Sequence, residues 1–420
     1  MVLAATLVVD NIGALATMDG ASGLGFVVDA VVACDRDRVV YAGPRAGAPA
    51  FSPSAHMVDA GGRAVMPGLI DCHTHNLFAG DRADEFARRA RGESYAQIMA
   101  AGGGIRSTMA KVRALSVDEL VAASLPRLQS ALARGVTTME LKSGYGLDAA
   151  SEIKMLYAAR ALAAQQPMAI EATLLAAHAV PPEHATSSSY VDVIVRDIMP
   201  EVVREKLAST CDIFIEQNAF SLDDGRRLLR AAQERGLAVR VHAEQLSHQG
   251  GALLAAELGA RSAGHLEFVD EHDIEALAKA GVVCEVLALA QVFLRGQRAT
   301  PGRALVDGGC VVAVATDSNP GTAMSTDIAL AAGLSVTQCG LSVEEALRGI
   351  TVNAARALAL SDRGVLAAGK RADMLVLCGT SPVDLVYRWG EPQVQRVIVG
   401  GSVVEASCMG PAFSSSSPRW

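Results

Sequence analysis

Between about residue 64 and residue 360 the chain alternates short apolar runs of strand length with longer segments of helical periodicity. The candidate strands are AVMPGLID ending at Asp71, VTTMEL before Lys142, MAIEATLLAA before His178, CDIFIE ending at Glu216, LAVRVH ending at His242, RSAGH ending at His265, VVCEVLA near 282 to 288, and VVAVAT before Asp317. Continuous apolar runs belong to parallel strands covered on both faces. Eight of them alternating with helices are the sequence image of an α/β protein of the (β/α)8, TIM-like barrel type.

Helix starts can be read between the strands. Ser116 with Glu119 and Ser342 with Glu345 have capping-box spacing, and Ser221 precedes an amphipathic stretch that ends at Gly236. The flanks read differently, as short Val-rich strands with Gly and Asp turns. Residues 1–62 and 364–408 are therefore expected to pair into one small β-sandwich domain beside a barrel spanning 63–363. The small, polar tail 409–420 is expected to be disordered.

Composition narrows the picture little but consistently. Half of the 420 residues are apolar and only 4% are aromatic, so the core must be filled by small and branched aliphatic side chains, as an α/β protein allows. Net charge is -8 and no basic run occurs, which argues against a nucleic-acid partner; a local arginine can still hold an anionic small molecule. The eight cysteines are scattered through apolar stretches without a CxxC pair, which suits reduced thiols in the cytoplasm. The opening MVLAATLVVDNIGAL lacks a basic n-region and reads as a strand, and no apolar run reaches membrane-spanning length, so no membrane association is expected.

The chemistry concentrates at the strand ends. His73 and His75, two apart on an extended segment, point to one side and can chelate one metal. Alone such a pair is as readily a chance coincidence of polar residues. His242, His265 and Asp317, however, each fall at the end of another expected strand, and in a barrel those ends converge on one mouth. Imidazoles with a carboxylate suit zinc or iron. A metal there lowers the pKa of water and favours hydrolysis. Asp317 is the expected proton acceptor and donor, and His265 orients the water or polarises a carbonyl.

Six segments then carry a resemblance. PGLIDCHTH at 67–75 and GKRADMLVL at 369–377 resemble the opening and closing motifs of the amidohydrolase superfamily. DRADEFARRARGESYAQIMAAGGGIRST at 81–108, ELKSGYGLD at 140–148, HAEQLSHQGG at 242–251 and ATDSNPGT at 315–322 resemble the imidazolonepropionase family within it. That resemblance implies hydrolytic opening of 4-imidazolone-5-propanoate to N-formimino-L-glutamate in histidine degradation by a homodimer. It implies one metal ion per subunit, zinc or iron, held by His73, His75, His242 and Asp317, with His265 beside the water. It further implies substrate contacts from Arg82, Tyr145, His178, Gln245, Asn319, Gly321 and Thr322.

The same residues bear on rival readings. Deaminases of this superfamily usually place a glutamate three residues after the third metal histidine; here that position is Gln245, and an amide cannot shuttle a proton. Other cyclic amidases remain rivals, as does a silent barrel that binds metal without turnover. Lys142 could in principle carry a carbamate between two metals, but a lysine paired with a nearby acid is the commoner case and a single metal is expected. GGG at 102–104 lacks the lysine and hydroxyl of a phosphate loop. The stretch 285–300 and MSTD at 324–327, with Met324 two positions beyond Thr322, depart from the family pattern and bear on selectivity.

Overall fold

Short, fully apolar strands set the frame. In a computed structural model that describes residues 2–93, 97–98, 101–296 and 298–404, eight strands lie side by side in chain order, every neighbouring pair parallel. They are Leu69–Asp71, Val136–Lys142, Ala169–Ala177, Thr210–Ile213, Ala238–Ala243, Ser262–His265, Val283–Val286 and Val311–Val314. This is the expected barrel. Its last seam closes just beyond the strand ends, where the Thr316 amide and hydroxyl donate to Asp71 at 3.1 and 2.6 Å and Thr74 bridges Ser318.

The first expected strand proves to be two elements. Ala64–Pro67 belongs to the other sheet, antiparallel to Met374–Leu377 and parallel to part of Leu7–Ala16, and only Leu69–Asp71 enters the barrel. Gly68 is the joint. A Cβ at this position would stand 2.2 Å from the Thr137 hydroxyl, so only glycine lets the chain pass from one sheet into the next without displacing the second barrel strand. The apolar run AVMPGLI conceals the change because both sheets bury their strands on both faces. The expected CDIFIE strand is likewise shorter, with Phe214 and Ile215 making only isolated bridges beyond Ile213.

Both chain ends supply the second sheet. Its order runs Ser402–Val403, Val394–Val399, Met374–Leu377, Ala64–Pro67, Leu7–Ala16, Phe26–Asp35 and Arg38–Pro44, with His56–Asp59 also pairing with Leu7–Ala16. It is closed over a core of its own that includes Leu7, Val9, Ile12, Val32, Val65, Met374 and Ile398. The tail expected to be disordered lies outside the described residues.

The helices begin where capping chemistry places them. Ser116 and Ser342 form capping boxes with Glu119 and Glu345, and Ser221 accepts from the Asp224 amide at the head of Leu222–Glu234. A third box, Asp270 with Asp273, uses aspartate at both places. The described cysteines are all free, six of them buried and Cys378 exposed.

Candidate metal centre and active site

Five side chains meet at the C-terminal mouth of the barrel because each leaves a different strand end. His73 and His75 follow the first strand, His242 and His265 lie in the fifth and sixth, and Asp317 follows the eighth. All five are buried. The His73 Nε2 stands 3.0 Å from the His242 Nε2, which is 3.4 Å from the His75 Nε2. Asp317 Oδ1 is 3.3 Å from the His75 Nε2 and 3.8 Å from the His73 Nε2. His265 joins the same cluster, its ring nitrogen within 4.8 Å of those of His73 and His242. Asp317 and His265 hold backbone φ angles of 51° and 77°, a conformation disfavoured for side-chain-bearing residues and concentrated at functional sites.

Carboxylates stand behind two of the imidazoles. Glu285 Oε2 is 2.8 Å from the His73 Nδ1, and Asp212 Oδ1 is 3.1 Å from the His242 Nδ1. A carboxylate can only accept, so each Nδ1 carries the proton and each Nε2 presents a lone pair. Two bare lone pairs 3.0 Å apart repel one another unless a cation lies between them. That arrangement, with a carboxylate on the open side, fits a divalent metal.

The electrostatics agree. Burial drives His73 and His75 well below their ordinary pKa, helped by the Lys142 charge, and burial lowers His242 to about 4. These rings are neutral near pH 7, the state in which imidazole binds a metal. Burial raises Asp317. His265 goes the other way: burial lowers it, but the Glu267 carboxylate, 3.7 Å from its Nδ1, outweighs that and leaves it raised.

The expected substrate contacts fall into two groups on the rim. Around His75, the His178 ring stacks at 4.9 Å and Tyr145 lies 5.3 Å from His178 between ring centroids; His178 Nδ1 is 3.1 Å from the Gly144 carbonyl. Gly144 has φ 110° and turns the loop that presents Tyr145. Around Asp317, Arg82 donates to Thr108 at 2.9 Å and reaches the backbone at Gly321. The Asn319 carboxamide is occupied within its own loop, donating to the Asp317 carbonyl and the Thr322 hydroxyl and accepting from the Gly321 and Thr322 amides. Gln245 is half-buried where the fifth strand gives way to its loop.

Sequence reasoning passed over several residues here. Glu140, Asp212, Arg240 and Glu285 form a charged layer under the histidines, and Glu267 stands beside His265. Lys142 sits within that layer, 3.0 Å from Glu140 Oε1 and 2.8 Å from Asp212 Oδ2. Both partners are acids, so its amine is engaged in ion pairs. Phe86 and Phe293 also pack together at the mouth, 4.9 Å apart, with Arg89 over Phe293 and donating to the Gly321 carbonyl at 3.1 Å. The signal for the charged layer was present: acids and bases at alternate positions inside apolar strands, as in Glu140 and Lys142 or Arg240 and His242, face the barrel interior together.

Comparison with known proteins places this architecture. The amidohydrolase family profile matches residues 64–404. The chain is 48% identical over 380 residues to the imidazolonepropionase of Mesorhizobium japonicum, covering 90% of this chain and 93% of that one. Against the imidazolonepropionase of Caulobacter vibrioides the identity is 48% over 379 residues, with 90% and 94% covered. Among solved structures, an adenosine deaminase from Xanthomonas campestris with bound zinc superimposes with a TM-score of 0.71 at 19% identity, covering 96% of this chain and 93% of that one. The zinc-bound atrazine chlorohydrolase of Arthrobacter aurescens gives 0.67 at 18%, with 94% of each chain covered. At such identities these two likenesses concern the fold alone.

Proposed function

From the premise that the chain belongs to the amidohydrolase family, and within it to the imidazolonepropionases, we propose that it opens the ring of 4-imidazolone-5-propanoate by hydrolysis at the mouth of its barrel. The observation that carries the reading is the close approach of the His73, His75 and His242 Nε2 atoms and the Asp317 carboxylate, with carboxylates behind His73 and His242.

The reaction adds water across the ring amide: the water oxygen joins the carbonyl carbon, the C–N bond breaks, and the product is N-formimino-L-glutamate. A divalent metal held by His73, His75, His242 and Asp317 supplies Lewis acidity and an acidified water. Asp317 takes the proton from the attacking water and returns it to the departing ring nitrogen, which then leaves as a neutral amidine. His265 stands across the same point and donates to the carbonyl oxygen as charge develops there. Arg82 holds the propanoate carboxylate by a charge-assisted pair, with Thr322 and the Gly321 backbone beside it. Tyr145 and His178 face the ring, and Gln245 closes the third side.

Three imidazoles and one carboxylate accept zinc and iron alike, and metal analysis of the purified protein assigns the ion. Buried free thiols support a reducing, cytoplasmic setting. The family resemblance adds a homodimer, which light scattering tests. No described helix is long and apolar enough to cross a membrane.

The deciding experiment follows the ultraviolet absorbance of freshly generated 4-imidazolone-5-propanoate. Rapid loss with the wild type and a fall of about 10²- to 10⁴-fold in Asp317→Asn are expected. A metal-loaded wild type that leaves the imidazolone untouched would overturn the substrate assignment.

A further inference from the structure

Five charged side chains, none more than 2% exposed, form an unbroken line beneath the metal centre. From one end, Glu285 accepts from His73 and pairs with Arg240. Arg240 pairs in turn with Glu140, which pairs with Lys142 at 2.9 Å. Lys142 pairs with Asp212 at 2.8 Å, and Asp212 accepts from His242. The line therefore begins on one candidate metal ligand and ends on another. Its middle member, Glu140, touches no histidine.

We infer that Glu140 is a positioning residue for the metal centre: by holding Arg240 and Lys142 between the two outer carboxylates, it fixes the Nδ1-protonated, Nε2-inward state of both His73 and His242. This rests on the metal-centre reading above and adds to it.

The arithmetic of the buried layer explains why the middle matters. Two cations face three anions, so each cation has one carboxylate on either side. With Glu140 uncharged, Arg240 and Lys142 have only Glu285 and Asp212 to neutralise them, and each carboxylate is drawn down from its imidazole. Arg240 also donates to the Cys72 carbonyl at 2.8 Å, directly before His73, so its displacement moves the backbone of the first ligand as well. His75 is the contrast. Its Nδ1 has no hydrogen-bond partner among the described residues, so two of the three imidazoles are braced from below and the third is free to adjust. Thr173 completes the layer by donating to Glu140 Oε1 at 2.5 Å.

The test is the zinc affinity of the metal-stripped full-length protein, read by competition with a chromophoric chelator. Glu140→Gln is expected to weaken zinc binding about 10- to 100-fold, the range seen when groups behind metal ligands are changed. Thr173→Val perturbs Glu140 without removing a charge and is expected to weaken zinc binding by a smaller factor of several-fold; it decides the matter if the first variant does not fold. The ligand-field spectrum of the cobalt-substituted protein should shift in the same variants. A role confined to stability would lower the melting temperature while the folded variants bound zinc as tightly as the wild type. Unchanged zinc affinity in every variant that folds would overturn the inference. A wild type that binds zinc tightly yet ignores the imidazolone would sink the substrate assignment and leave this one standing.

Discussion

A methyl group placed on Gly321 would stand 2.3 Å from Nη1 of Arg82. The backbone at Gly321 is not in the left-handed region, so its lack of a side chain reflects space and not conformation. Arg82 is tethered on its other side to Thr108 and cannot withdraw freely. In Gly321→Ala the guanidinium is pushed off the line on which it meets a carboxylate. A charge-assisted hydrogen bond contributes about 1.5–3 kcal/mol, so KM should rise roughly tenfold or more while kcat changes little. Steady-state kinetics on the imidazolone check it. An unchanged KM would show that Arg82 does not hold the substrate.

Tyr190 offers a prediction about stability alone. Its ring is fully buried, and its hydroxyl finds no hydrogen-bond partner among the described residues. A buried hydroxyl left unpaired costs about 1–3 kcal/mol. Tyr190→Phe removes the hydroxyl and keeps the ring, so it should raise stability by about 1 kcal/mol in urea unfolding, with turnover unaffected. A loss of stability would reveal a partner for the hydroxyl.

His248 gives a pH signature. Its Nε2 lies 2.8 Å from Asp273 Oδ2, and that hydrogen bond, with the nearby Glu244 and Asp270 charges, raises its pKa above the ordinary value of 6.5. A pKa raised by folding stabilises the protein fully below the unfolded value and loses that contribution as pH climbs through the folded one. The side chain is 45% exposed, so solvent screening limits the contribution to about 0.5 kcal/mol. The stability gap between wild type and His248→Ala should be largest at acidic pH and close above the folded pKa. A gap that widened with pH would reverse the assignment.

Metal removal should be visible in the fold. Chelation leaves the His73 and His242 lone pairs opposed 3.0 Å apart. The unfolding midpoint should therefore fall on treatment with chelator. Zinc restored to 100 times its dissociation constant should return about 2.7 kcal/mol. A midpoint indifferent to chelator in a protein shown to lose its metal would argue against binding at this cluster.

What the sequence disclosed follows from what each feature needs. The eight barrel strands are legible because each is a short apolar run, and the gathering of the candidate metal ligands because strand ends in a barrel must converge. The split at Gly68 was not, since Ala64–Pro67 and Leu69–Asp71 are equally apolar and only the Thr137 contact separates them. The layer through Glu140, Arg240 and Glu285 escaped for another reason. One charged residue inside an apolar strand looks like an isolated exception, and the partners within this trio lie 45 and 100 residues apart along the chain, on different strands of the barrel. The third capping box lies outside the Ser/Thr…Glu/Gln pattern because it has aspartate at both places.

The two seams of the molecule have a consequence for its birth on the ribosome. Ala64–Pro67 finds an antiparallel neighbour only in Met374–Leu377, and Asp71 finds Thr316 only once most of the barrel exists. A nascent chain makes His73 and His75 early, yet Asp317 emerges only after about 240 further residues, on the order of 10 to 50 seconds later at ordinary synthesis rates. Until then two of the candidate metal-binding imidazoles have no enclosing site, and an ion captured by them would be held without the shape that selects it. The complete centre, and with it any choice between metals, comes into being only near the end of translation.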